Sequence, residues 1–204
     1  MDNYADLMFS EAVQSFQERV GMRDKYQEIY AGRHRDDLDE KTIVFISASS
    51  SFYIASQGAN GWPYVQHRGG PAGFVKILDP DTIGFADYLG NRQFITRGNL
   101  ETSKRVSLFF MDYARRARLK MQGIATMIDA ESDPELQAKL ATAEEGPVER
   151  LTTIKIIARD WNCPKYIEPR YTEDQIHQML EPKISALVAE NEQLKAQLTA
   201  LKSP

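Results

Sequence analysis

The sequence predicts a mainly β domain with helical additions, an α+β class, on three observations. Short β-rich runs separated by turn residues fill the centre of the chain, apolar positions at helical spacing precede them, and a leucine recurs every seven residues near the C-terminal end. The expected organisation is an N-terminal helical segment over 1–40, a β domain over 41–171 and a C-terminal helix over 172–204.

Each element has its own signal. Val13, Phe16 and Val20 recur at spacings of three and four within Ser10 to Tyr30, with a break near Gly21, which predicts one or two helices laid over a sheet. From Thr42 the texture changes, and strands are expected over Thr42 to Ala48, Phe52 to Ser56, Tyr64 to Arg68, Phe74 to Leu78 and Thr82 to Asp87. Gly58-Ala59-Asn60-Gly61 and Asp79-Pro80-Asp81 supply the turns between them. Arg92 to Leu100 reads as a short helix. Val106 to Tyr113 and Arg118 to Ile128 read as an antiparallel pair around a basic turn at Arg115-Arg116. Asp133-Pro134-Glu135 opens a helix, because proline suits a first turn and Asp133 can cap it, and Thr152 to Ala158 returns as a strand.

After Trp161 the prolines Pro164 and Pro169 mark a fixed loop before Thr172-Glu173-Asp174 starts the last helix. There Leu180, Leu187, Leu194 and Leu201 take one heptad seam position, and Ile184, Asn191 and Leu198 take the other. Leucine at d with one polar a residue fits a parallel two-stranded coiled coil with another copy of the chain, and Glu190 and Lys195 fall at g and the following e with opposite signs. An amphipathic helix packed on its own domain remains the alternative.

Composition narrows the function classes. The 25 basic and 29 acidic residues leave a net charge of −4, which argues against a surface built for nucleic acid, and Arg115, Arg116, Arg118 and Lys120 read as a solvated basic hairpin. A single cysteine, Cys163, excludes an intramolecular disulfide and fits a reducing cytoplasm; with only three histidines beside it, no metal ligand set is expected. Cys163 reads as a packed thiol, and His34 and His177 as exposed. The acidic start Met1-Asp2-Asn3-Tyr4-Ala5-Asp6 is unlike a secretory leader, and no apolar run is long enough for a bilayer, so no membrane association is expected.

The most informative stretch runs from Trp62 to Leu100. It carries His67-Arg68-Gly69-Gly70-Pro71-Ala72-Gly73-Phe74, then Gly90-Asn91-Arg92 and Arg97-Gly98-Asn99-Leu100. Glycines let backbone approach a ligand closely, and arginine grips phosphate through a planar, permanently charged fork, so a phosphorylated ligand is expected. Arg92 follows a strand and a glycine and precedes a helix, where anion sites form.

Gln66-His67-Arg68-Gly69-Gly70 with Gly73-Phe74, Gly90-Asn91-Arg92 with Gly98-Asn99-Leu100, and Val106-Ser107-Leu108-Phe109-Phe110 resemble the FMN-binding split β-barrel of the pyridoxamine 5′-phosphate oxidase superfamily, in its oxidase-like branch. Asp160-Trp161-Asn162-Cys163-Pro164 and Pro169-Arg170-Tyr171 resemble that branch's later signature, so the likeness spans roughly residues 40 to 172 and leaves out the heptad helix. The resemblance implies a split β-barrel with N-terminal helices and a C-terminal coiled-coil helix. It implies FMN held between two protomers of a homodimer, with Asp87, Tyr88, Asn91 and Arg92 around its phosphate. Gln66, His67 and Arg68 stand where relatives present basic side chains to the flavin, although the pattern here departs from theirs. Arg118 matches a contact made from the neighbouring subunit, and Trp161 and Arg170 match residues that close over the flavin or its substrate.

Such a site needs a phosphate clamp, an apolar slot and donors at the ring edge. Arg68, Arg92 and Arg118 can serve the first, and Phe74, Tyr88 and Trp161 the second. The function implied is an FMN-dependent oxidoreductase, oxidase or nicotinamide-dependent reductase, taking hydride from a small-molecule donor, with no catalytic acid or base evident. A flavin-binding sensor or carrier without turnover, or a haem-binding split barrel with His67 as ligand, are the alternatives.

Overall fold

The computed structural model describes residues 3–31, 37–142, 146–162 and 164–202, so His34 and Cys163 lie outside the described residues. The chain divides into two compact units, one formed by Met1–Asp112 with Ala117–Lys165 and the other by Tyr113–Arg116 with Tyr166–Pro204. In the first unit, helices α1 (Tyr4–Met8), α2 (Glu11–Arg19), α3 (Arg23–Tyr30) and α4 (Glu40–Ala48) precede strands β1 (Ser51–Gln57), β2 (Pro63–Gly69), β3 (Lys76–Asp79) and β4 (Thr82–Tyr88). Helix α5 (Ile95–Thr102), strands β5 (Arg105–Asp112) and β6 (Ala117–Asp129), helix α6 (Pro134–Leu140) and strand β7 (Val148–Asn162) complete it.

The strands form one antiparallel sheet in the order β2-β1-β5-β6-β7-β4-β3. The long β7 pairs with both β6 and β4, joining the two halves. The sheet curls far enough for side chains of non-adjacent strands to meet inside: Phe52 of β1 packs edge-on against Phe85 of β4 at 5.4 Å. It does not close, and β2 and β3 are its two edges. Alternation along the strands fills the concave side with Phe52, Ile54, Leu108, Phe110, Leu119, Met121 and Ile154, all nearly or wholly inaccessible. One antiparallel sheet with separate helices is the α+β class that the sequence predicts, although with α7 included the helices hold more residues than the strands.

Several elements depart from the sequence expectation. The run Thr42 to Ala48 is helix α4 rather than a strand. The Asp39 carboxylate accepts from the Thr42 amide at 2.8 Å and caps the helix, and burial of Thr42, Phe45 and Ile46 on one face outweighs the β preference of Thr42-Ile43-Val44. The strand expected over Phe74 to Leu78 is confined to Lys76–Asp79, because Gly73 takes a φ of +83° and turns Phe74 inward to stack on Phe52 at 5.9 Å. The stripe Val13, Phe16 and Val20 stays exposed at 37%, 63% and 71%, so these residues do not cover the sheet. Tyr4 and Tyr30 pack against Ala158 instead, and the Tyr30 hydroxyl donates to Asp160 at 2.7 Å. Other signals hold: α2 and α3 break at Gly21 with φ +67°, and Asp133 accepts from the Leu136 amide at the start of α6.

In the second unit, α7 (Glu173–Lys202) is one continuous helix of 30 residues with Pro182 inside it, and the Arg170 guanidinium lies 5.0 Å from the Tyr113 ring centre. No helix among the described residues is long and apolar enough to cross a membrane.

The pairing of β6 with β7 shifts register between Gln122 and Gly123, an irregularity of the kind that bends a strand. A Cβ on Gly123 would stand 2.6 Å from Ile154 Cγ2 and 2.9 Å from the Lys155 carbonyl oxygen, so the backbone itself blocks it. Gly123→Ala is expected to destabilise the fold by about 1–3 kcal/mol in a urea titration.

Candidate functional site

The curl brings β2, β4, β7 and the segment leading into α5 around one cavity of about 220 Å3. From β2 come Tyr64, Gln66 and Arg68, which alternation places on one face; from β4 come Asp87 and Tyr88; and from β7 comes Arg150. Residues 90–97 and Met127 complete the lining.

Asp87 organises its floor. The residue is only 6% exposed, and its carboxylate lies 2.5 Å from Arg68 Nη1 and 3.6 Å from Arg150 Nε. Arg150 Nη1 in turn reaches Glu149 at 3.2 Å, and Glu149 Oε1 accepts two hydrogen bonds from Arg92, from Nε at 3.1 Å and Nη2 at 2.7 Å. The result is an alternating chain, Arg68, Asp87, Arg150, Glu149, Arg92, that begins and ends on a guanidinium. Arg97 pairs separately with Asp129 at 2.6 Å. Three arginines against two carboxylates leave one positive charge over in the chain. Arg68 also keeps a buried Nε without a hydrogen-bond partner, a donor that a polar group entering the cavity would satisfy.

The entry to α5 adds backbone donors. Phe94 stands at its N-cap without a side-chain cap, leaving the first-turn N–H groups of this eight-residue helix unpaired at the cavity wall. Arg92 and Phe94 both have left-handed backbone, with φ of 54° and 55°, a costly conformation for non-glycine residues. Glu149 holds the first, and the second has the Arg150 guanidinium 5.1 Å from its ring centre. Helix α5 is pinned by Thr96, whose hydroxyl donates to Gln66 Oε1 at 2.8 Å, and by Asn99, whose amide donates to Ser56 at 2.9 Å. Gln66 Oε1 also accepts from Arg68 Nη2 at 3.1 Å, so its amide N–H groups are left for a ligand. The Tyr88 ring lines the cavity while its hydroxyl is tied to Thr142, accepting from the backbone amide at 2.7 Å.

Of the residues that the sequence marks out, Gln66, Arg68, Asp87, Tyr88, Asn91 and Arg92 meet in this cavity. His67 points from the opposite face of β2, exposed and edge-on to Tyr53 at 5.5 Å. Arg118 faces that same convex side, paired in register with Met111, and its Nε is buried without a partner. Trp161 packs edge-on against Phe45 at 4.8 Å with Lys41 Nζ 4.2 Å from its ring centre, and its Nε1 has no hydrogen-bond partner. Phe74 is a core residue rather than a cavity wall. Arg170 belongs to the second unit. Arg150, Phe94 and Thr96 escape sequence reasoning. Among the described residues, no group of three or more histidine, cysteine, aspartate and glutamate side chains is placed to hold a metal.

Two outcomes follow from this charge chain. Asp87→Asn leaves Arg68 and Arg150 buried without their shared counter-charge and is expected to destabilise by about 3–5 kcal/mol in denaturant. Glu149 has its acidity raised by the hydrogen bonds from Arg92, and further by the charges of Arg92 and Arg150, which holds it below its ordinary value of 4.5. A depressed carboxylate keeps its ion pair throughout the range above that value and loses it as pH falls through the lower folded value. Carboxyl-carbon NMR should give Glu149 a midpoint below 4.5, and Arg92→Ala should move it upward.

Residues 38–161 match the family described as pyridoxamine 5′-phosphate oxidase. No curated protein matches the chain in sequence. Among solved structures, the chain is similar to HupZ of Group A Streptococcus at a TM-score of 0.50 and 16% identity, covering 65% of this chain and 98% of that one. It is also similar to a protein of Clostridium acetobutylicum related to general stress protein 26, in the pyridoxinephosphate oxidase family, at 0.45 and 15%, covering 68% and 99%. A third is an FMN-binding protein of Syntrophomonas wolfei, at 0.44 and 11%, covering 72% and 97%. With well over half of its residues inside the matched segment and the open, curled sheet around the arginine-lined cavity, the chain belongs to the pyridoxamine 5′-phosphate oxidase family.

Proposed function

We propose that the cavity is one chain's share of an FMN site completed by a second copy, and that the protein is an FMN-dependent oxidoreductase. The observation that carries this reading is the arginine-ended charge chain lying beside the uncapped start of α5. Arg68, Arg92 and Arg150 with the α5 amides suit a phosphate, and Tyr64, Tyr88, Phe94, Ile95 and Met127 suit the flat faces of a ring system. The free amide hydrogens of Gln66 and the unpartnered Arg68 Nε suit its polar edge.

The need for a second copy rests on size and charge. A volume of about 220 Å3 falls short of the roughly 300–1,000 Å3 of small-molecule sites. One unbalanced positive charge does not neutralise a phosphate dianion. Arg118 lies away from this chain's cavity on the convex side of the sheet, where Tyr53 and Val65 are exposed at 40% and 60%. That face is suited to an isologous contact through which Arg118 would serve the partner's cavity.

FMN would supply the redox chemistry, accepting a hydride and passing electrons on to dioxygen or another acceptor. The chain's own part is to hold the phosphate, wall the ring and orient a small-molecule donor over it. The lining residues favour flavin over haem, since His67 is not among them.

The test is titration of the purified protein with FMN, followed by flavin fluorescence and by light scattering. One FMN per chain in a particle of two chains is expected, and a colourless protein without affinity for FMN overturns the reading. Arg92→Ala, at an exposed side chain, should weaken FMN by about ten- to a hundredfold, as loss of a charged hydrogen bond implies. Anaerobic bleaching by a nicotinamide donor separates an enzyme from a flavin carrier.

A further inference from the structure

The second unit carries a surface that the flavin site does not use. Every residue of α7 from Glu173 to Leu201 is exposed, including Leu180, Ile184, Leu187, Leu194, Leu198 and Leu201. A helix of this length, 30 residues or about 45 Å, gains most of its stability in proteins from burial of an apolar face. No described residue of the second unit buries this one.

We infer that α7 pairs with α7 of a second copy as a parallel, in-register coiled coil. The apolar stripe follows the seven-residue repeat of a two-stranded seam, with leucine at d from Leu180 to Leu201 and Ile184 and Leu198 flanking Asn191 at a. A lone asparagine at a is satisfied when it meets its own counterpart, which selects two strands and one register over higher or slipped assemblies. Glu190 at g and Lys195 at the following e attract across a parallel pair. In the single chain Lys195 reaches Glu192 at 3.2 Å, an exposed contact that is readily exchanged. Pro182, the one residue of α7 that cannot donate a backbone hydrogen bond, falls at an f position, opposite the seam. These features are self-complementary, so the partner they fit is another copy of this chain. A parallel pair has its two-fold axis along the helices, the closed symmetry of an isologous dimer.

Self-cross-linking of the full chain tests this. Leu187→Cys and Asn191→Cys place a thiol in the seam, Ala189→Cys places one at f, and all three are made with Cys163→Ser so that only the new thiol reacts. Under mild oxidation the seam variants are expected to form the disulfide-linked dimer at least about tenfold faster than the f variant, because paired helices hold seam thiols at high effective concentration. Peptide mapping should show 187 joined to 187 and 191 joined to 191. If neither seam variant outpaces Ala189→Cys, the inference is overturned, and α7 lies on its own chain or on a different protein. FMN retention, measured on the same preparations, reports separately on the cavity.

Discussion

The site depends on one buried carboxylate. Asp87 is held between Arg68, from one edge of the sheet, and Arg150, from the long strand that joins its two halves. Two guanidinium groups converge on this point because the carboxylate lies between them, and the carboxylate tolerates burial because both are present. The pairing therefore ties the curl of the sheet to the chemistry of the cavity. It also keeps the arginines ordered with donors to spare, the state in which an anion can be received with little rearrangement.

Around that centre, apolar packing and polar placement divide the work. The concave face supplies rigidity through Phe52, Phe85 and Phe110, whose rings stack or meet edge-on at 4.8–5.4 Å. Thr96 and Asn99 then fasten α5 to that frame through side-chain hydrogen bonds to Gln66 and Ser56. Their bonds fix where the uncapped helix start points, and left-handed backbone at Arg92 and Phe94 is the local cost of that turn. The cavity is thus built on strands and one pinned helix.

Much of the site was legible because it is local. Gly90-Asn91-Arg92 ahead of a helix lines the cavity, and Gln66 and Arg68 stand two residues apart on one strand face. That same alternation, applied strictly, turns His67 to the other side and would have separated it from its neighbours. Arg150 had no comparable signal. Glu149-Arg150 before a strand looks like any solvated ion pair, and only the register of β7 against β4 sets Arg150 opposite Asp87.

The chain by itself determined whatever depends on neighbours a few residues away: the Asp133 cap of α6, the break at Gly21, the paired strands β5 and β6, the glycine-arginine turns and the heptad spacing of α7. Caps, turns and periodicity act over one or two turns of chain, so residue order suffices to reveal them. Tertiary structure decided the rest. Thr42 to Ala48 became a helix because burial of one face outweighed β propensity, and Val13, Phe16 and Val20 stayed exposed while Tyr4 and Tyr30 pack against Ala158. Which arginine faces which carboxylate depends on the curl and register of distant strands, a property of the whole sheet that no short stretch of sequence encodes.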